Sequence, residues 1–134
     1  MMQDLTALVG RILLVGLFLL GGWGKVNGLD GTANYIASKN LPMPQVLAMA
    51  SAAVELICAI LVVIGFKTRF AALALAAFTL AASVIFHNYW AVPEAARSMQ
   101  YLLFTKNMGI LGGLLVLAAF GPGRYSVDGR PASY

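Results

Sequence analysis

The stretch PQVLAMASAAVELICAILVVIGF, residues 44–66, decides the class of this protein. It carries a single ionisable acid, Glu55, in a run otherwise built almost wholly of apolar and small residues. Its length matches the ~20 residues that carry an α-helix across ~30 Å of hydrocarbon. Three further apolar stretches have the same character, at residues 5–24, 69–90 and 99–120. None alternates with a period of two, which argues against a β-barrel. The expected fold is all-α, an integral membrane four-helix bundle over residues 1–134 as one domain.

Composition supports that reading. Of 134 residues, 60% are hydrophobic and 10% charged, with a formal net charge of +4. Soluble domains carry roughly a quarter charged residues, and a small soluble domain needs them to cover its large relative surface. Nine Lys and Arg residues are spread thinly, with no basic run, so nucleic acid is not an expected partner. Membrane lipid is. The only cysteine, Cys58, lies inside an apolar span and cannot form a disulfide within the chain.

The connections are short and punctuated by turn residues. Residues 26–43 hold a semi-apolar piece, 32–37, suited to a short interfacial helix. Residues 67–69 read as a tight turn between antiparallel helices, and residues 91–98 carry Pro93, Glu94 and Arg97. Gly121-Pro122-Gly123 stops the fourth helix. Gly22-Trp23-Gly24 is a poor signal-peptidase site because glycine replaces alanine, so the first span is expected to be retained. Arg11, Lys67, Arg69, Arg124 and Arg130 fall on one side of the membrane, against Lys25, Lys39 and Arg97 on the other. That bias places both termini in the cytoplasm. Trp23, Tyr89 and Trp90 then form an outer aromatic belt, with Tyr125 on the inner face.

Polar groups within spans need partners, because each costs a few kcal/mol at mid-depth on insertion scales. Glu55 shares a helical face with Ala48, Ser51, Ala52, Ala59 and Val62, small enough to admit another helix closely. It therefore faces the bundle interior. Arg11, Phe18, Gly22 and Lys25 form one stripe of the first helix, and Thr79, Ser83 and His87 one of the third. In the fourth helix Lys106 is followed by Asn107, with Gly109 and Gly113 as a small-xxx-small packing face. Arg11, Lys25, Glu55, His87, Lys106 and Asn107 are thus the candidate interior charge cluster or ligand site. If their faces converge, the bundle holds a polar pocket that opens outward and is floored by Glu55. The alternative is structural: Glu55 paired with Arg11 or Lys106 to set helix register. One His, one Cys and one deep Glu make no familiar metal site, and haem ligation would rest on a lone interfacial histidine.

In order and spacing, these residues resemble the DoxX family of small bacterial membrane proteins. The resemblance runs over residues 11–128. It rests on Arg11 with Gly16, Gly22-Trp23-Gly24-Lys25, Glu55, Gly65, Arg69 and His87. It continues with Lys106-Asn107, Gly112-Gly113, and Gly121-Pro122-Gly123 with Ser126 and Asp128. It implies a four-helix bundle in the bacterial inner (cell) membrane and an association with quinone- or thiol-linked redox systems. Two functions follow as expectations. The first is a non-catalytic membrane subunit or anchor for a membrane-associated oxidoreductase, not an enzyme on its own. The second is a quinone or small-molecule site within the bundle, at Glu55, His87 and Lys106, with quinone as the implied cofactor. A small permease lacks the paired repeats of known transporters. A homo-oligomer is compatible with the small-residue helix faces.

Overall fold

A computed structural model describes residues 1–129; Arg130, counted above in the charge balance, lies outside them. Five α-helices follow in order: α1 (Met2–Asn27), α2 (Leu29–Ala37), α3 (Pro44–Ile64), α4 (Thr68–Phe86) and α5 (Glu94–Phe120). A 3₁₀ turn, Tyr89–Ala91, joins α4 to α5. Four of these helices, α1, α3, α4 and α5, are long and apolar enough to cross a membrane. Among the described residues there is no strand.

Hydropathy placed the spans and capping chemistry set their ends. Helix α1 continues past residue 24 to Asn27, because helical hydrogen bonding does not stop where apolar residues do. Gly65, at φ 73°, ends α3, and the amides of Gly65 and Phe66 turn back to the carbonyls of Val62 and Leu61. The α3–α4 turn is therefore Gly65–Lys67, and Thr68 and Arg69 already belong to α4. Helix α4 stops at Phe86 rather than near residue 90. Helix α5 starts just after Pro93, earlier than the expected residue 99.

Helix α1 packs along α3, α3 against α4, and α4 against α5. Helix α2 lies on α3, with Ala33 and Ile36 buried against Ala48 and near Phe86. The main core is Val15, Phe18, Ala59, Val62, Ala71, Ala72, Leu75, Ala76 and Leu114. Alanines dominate the helix contacts for a physical reason. In lipid no hydrophobic force pushes helices together, so close backbone approach and dispersion hold them. The contact between α1 and α5 is short, and Leu14 lies in it beside Gly113.

The C-terminal segment staples the end of the bundle that carries the N-terminus. Val127 N–H donates to Ile64 O at 3.2 Å and Asp128 N–H to Gly65 O at 2.8 Å. The Asp128 carboxylate accepts from the amides of Lys67 at 2.9 Å and Thr68 at 2.8 Å. One segment thus satisfies the last carbonyls of α3 and the first amides of α4. Gly65 can have no Cβ here, since one would run into the Ser126 side chain. Arg69 closes the far side by donating to the carbonyls of Ala118 at 3.3 Å and Ala119 at 2.7 Å, near the end of α5.

Asp128 also makes the staple acid-sensitive. Partial desolvation works to raise its pKa, but the amides of Thr68 and Lys67 outweigh that and hold it below the ordinary carboxylate value. A folded-state pKa below the unfolded one stabilises above the unfolded value, and the contribution is lost as pH falls through the folded value. Asp128→Ala is expected to cost about 1 kcal/mol at pH 7, the scale of a lost helix N-cap. Thermal melts of both proteins from pH 7 to pH 3 should show the difference shrinking toward zero in acid. A constant difference would mean that the carboxylate charge is not what holds the turn.

Candidate functional site

Glu55 sits near the middle of α3 on the Ala48–Ala52–Ala59–Val62 stripe, all of it buried. On the facing helix, the buried stripe of α1 is Arg11, Val15, Phe18 and Gly22, and Lys25 follows one turn on. Gly22 makes the approach possible. A Cβ there would stand 2.7 Å from Leu56 Cγ and 3.2 Å from Glu55 Cβ. With the helices this close, Lys25 Nζ donates to Glu55 Oε2 at 2.6 Å. The Lys25 ammonium also lies 5.8 Å from the Phe78 ring centroid, a cation–π contact that helps a cation rest among apolar groups.

Gly22→Ala is therefore expected to destabilise by about 1–3 kcal/mol, the usual effect of overpacking. Gly24→Ala is its control, because a Cβ there meets nothing within 4 Å. Melting temperatures of the two variants in one detergent test this; equal values would show that α1 and α3 are not in close contact.

A second polar chain runs along α4. Thr79 Oγ1 donates to Leu75 O and Ser83 Oγ to Thr79 O, so both buried hydroxyls are satisfied within the helix. Ser83 Oγ then accepts from Asn107 Nδ2 of α5 at 3.0 Å. At the end of α4, His87 Nδ1 lies 2.9 Å from Gln100 Oε1. Tyr89 packs edge-on against Trp90, Tyr101 and Phe104, which fixes the α4–α5 junction.

These elements border a partly open cavity of about 470 Å³. Lys25, Ser51, Glu55, Thr79, His87 and Asn107 line it together with Phe18, Leu47, Phe78 and Ile110. Thr32, Tyr35 and Ile36 of α2 also line it, so α2 lies over the end expected to open outward. The volume falls within the ~300–1,000 Å³ of small-molecule sites, and the mix of apolar wall and few polar groups is typical of them.

The structure brings together Lys25, Glu55, His87 and Asn107, and places the other candidates elsewhere. Arg11 is buried at the opposite end, donating to the carbonyls of Pro122 at 2.6 Å, Tyr125 at 2.5 Å and Val63 at 3.1 Å. Lys106 is exposed and does not line the cavity. Neither pairs with Glu55; Lys25 does. Gly109 is exposed, with nothing within 4 Å of a Cβ built on it, while Gly113 does pack, against Leu14. The inward face of α5 is set by Asn107, Ile110 and Leu114, one residue round from the expected one. Ser51, Gln100 and the α2 residues were not among the candidates. The i, i+3 pair Ala33 and Ile36 could have flagged α2 as docked, whereas nothing local marks Gln100.

Comparison with known proteins agrees with this architecture. The family model described as DoxX matches residues 6–88. The chain is 41% identical to the inner membrane protein YphA of Escherichia coli (strain K12), over 96% of this chain and 91% of that protein. It is 38% identical to the inner membrane protein YqjF of the same strain, over 95% and 92%. A Surfeit locus protein 4 homolog of Schizosaccharomyces pombe is 32% identical over 95% of this chain, which spans 38% of that longer protein. No solved structure matches.

Proposed function

The chain belongs to the DoxX family of multi-pass membrane proteins, and from that premise we propose that it holds a small molecule in the cavity beneath α2. The observation that carries this reading is the Lys25–Glu55 ion pair set in the wall of a 470 Å³ cavity. A purely structural pair needs no adjoining space. Quinone is one member of the ligand class that such a site accepts, with an apolar body and a small polar head. Glu55 and His87, which both line the cavity, would face that head. With both termini in the cytoplasm, the loop-charge orientation, the cavity lies in the periplasmic half of the inner membrane.

The reading is tested by native mass spectrometry of the protein gently solubilised from its host membrane. A small molecule should stay with wild type. It should be lost from Glu55→Gln and from Ser51→Leu, which narrows the cavity one turn from Glu55. Folded variants with unchanged ligand occupancy would sink the proposal.

A second reading keeps the chain as a non-catalytic anchor for a redox enzyme. Its support is α5, whose long apolar surface contributes one fully buried residue, Leu114. A face this free suits a neighbouring subunit or a second copy of the chain. A stoichiometric oxidoreductase in the same spectrum, with no ligand on the chain, would favour it.

A further inference from the structure

We infer that the cavity takes the neutral, hydroxyl-bearing head of a single-chain membrane amphiphile, whose tail leaves into the bilayer between α1 and α5. The inference rests on the cavity being a ligand site, and adds which ligand and by which route.

The head follows from which hydrogen-bonding groups remain free. His87 Nδ1 is taken by Gln100 Oε1 at 2.9 Å, which leaves Nε2 without a protein partner among the described residues. Asn107 spends its amide nitrogen on Ser83 Oγ, which leaves Oδ1 as an acceptor. Glu55 receives Lys25 at Oε2, and among the described residues no donor reaches Oε1. Two acceptors on cavity-lining residues, Glu55 Oε1 and Asn107 Oδ1, thus have no partner among the described residues, while Lys25, held by Glu55 and lying beside Phe78, keeps two further N–H groups. These oxygens are not fully buried, so a ligand head in the cavity can reach them. An anion would meet the Glu55 carboxylate. A cation would meet Lys25. Hydroxyl groups on an uncharged head donate to the two oxygens and accept from Lys25, and place no like charge beside either member of the pair.

The route follows from the helix packing. Helices α1 and α5 meet over a short stretch, where a Cβ on Gly113 would stand 3.1 Å from Leu14 Cδ1. One turn further along each helix, Leu17 and Ile110 line the cavity, and Leu17 is 45% exposed to the surroundings of the bundle. Helix α2 lies across the other end. An apolar seam between two spans opens into acyl chains, not water, so a chain passing through it keeps its lipid surroundings.

The test uses the full chain in detergent micelles with two probes of equal tail, monoolein and methyl oleate, titrated by native mass spectrometry. Monoolein carries two hydroxyls and methyl oleate none. Monoolein should bind about tenfold more tightly, the worth of a net hydrogen bond. Asn107→Leu should bring the ratio toward one, and Leu17→Trp should lower monoolein occupancy while leaving the protein monodisperse. Equal binding of the two probes to wild type overturns the assignment of the head. Unchanged monoolein occupancy in Leu17→Trp overturns the route. If either occurs while a host-derived ligand is still lost from Ser51→Leu, the cavity remains a ligand site and only this inference falls. If wild type keeps no ligand of any kind, both fall.

Discussion

Replacing Arg11 with methionine is expected to destabilise the protein by about 3–5 kcal/mol, the scale seen when a buried charged group loses its network. Arg11 is 3% exposed and donates to three backbone carbonyls, of Val63, Pro122 and Tyr125. Those carbonyls come from the end of α3 and from the segment after α5. Without the guanidinium the Pro122 carbonyl is left a buried acceptor, at about 1–3 kcal/mol, and those of Val63 and Tyr125 part-buried ones that cost less. Lysine keeps the charge but not the planar fork that reaches several acceptors at once, so Arg11→Lys should recover part of the loss only. The unique Cys58 is half-buried, so its labelling by a maleimide dye during a thermal ramp reports unfolding. A melting temperature for Arg11→Met within a degree or two of wild type would show that the segment holds its place without the arginine.

Lys25→Met is the second large effect, at about 3 kcal/mol, because it leaves Glu55 alone in the bundle. The two partners should not behave alike. The Lys25 side chain is 26% exposed and the Glu55 side chain 8%. A lysine that loses its carboxylate can swing its long stem toward the interface. A glutamate at the middle of α3 has no such escape. Glu55→Gln alone is therefore expected to cost less than Lys25→Met, and the double variant less than the lysine change, since no unpaired charge remains. A double-mutant cycle in the same dye assay measures this coupling. Additive single effects would mean that the 2.6 Å contact contributes nothing to stability.

Much of the candidate site was legible because local periodicity is a local property. The stripe of Arg11, Phe18, Gly22 and Lys25, the small-residue face around Glu55, and the Thr79–Ser83–His87 row follow from 3.6 residues per turn. All three point inward as expected. Helix α5 did not yield to the same reasoning. Its second half, residues 108–120, is apolar all round, and in lipid an apolar face gains nothing by turning inward. The glycine spacing at Gly109 and Gly113 pointed to a face that is only partly used. The rotation is set by Asn107 reaching Ser83 and by Leu114 filling the core.

Membership of the membrane class, the number of spans, their approximate limits and the inward faces of α1, α3 and α4 are properties of the chain read residue by residue. They depend on transfer energies and on helix geometry that each segment carries alone. The partner of Glu55, the carbonyls that hold Arg11, the use of Asp128 to cap α4, and the cavity under α2 depend on how separate helices are rotated and how deep each sits. Residues far apart in sequence meet there, as Arg11 does Pro122. Helical spacing says which side chains share a face, but not which face of another helix they meet. That choice is made by close packing among several helices at once, and so it is settled only in the folded molecule.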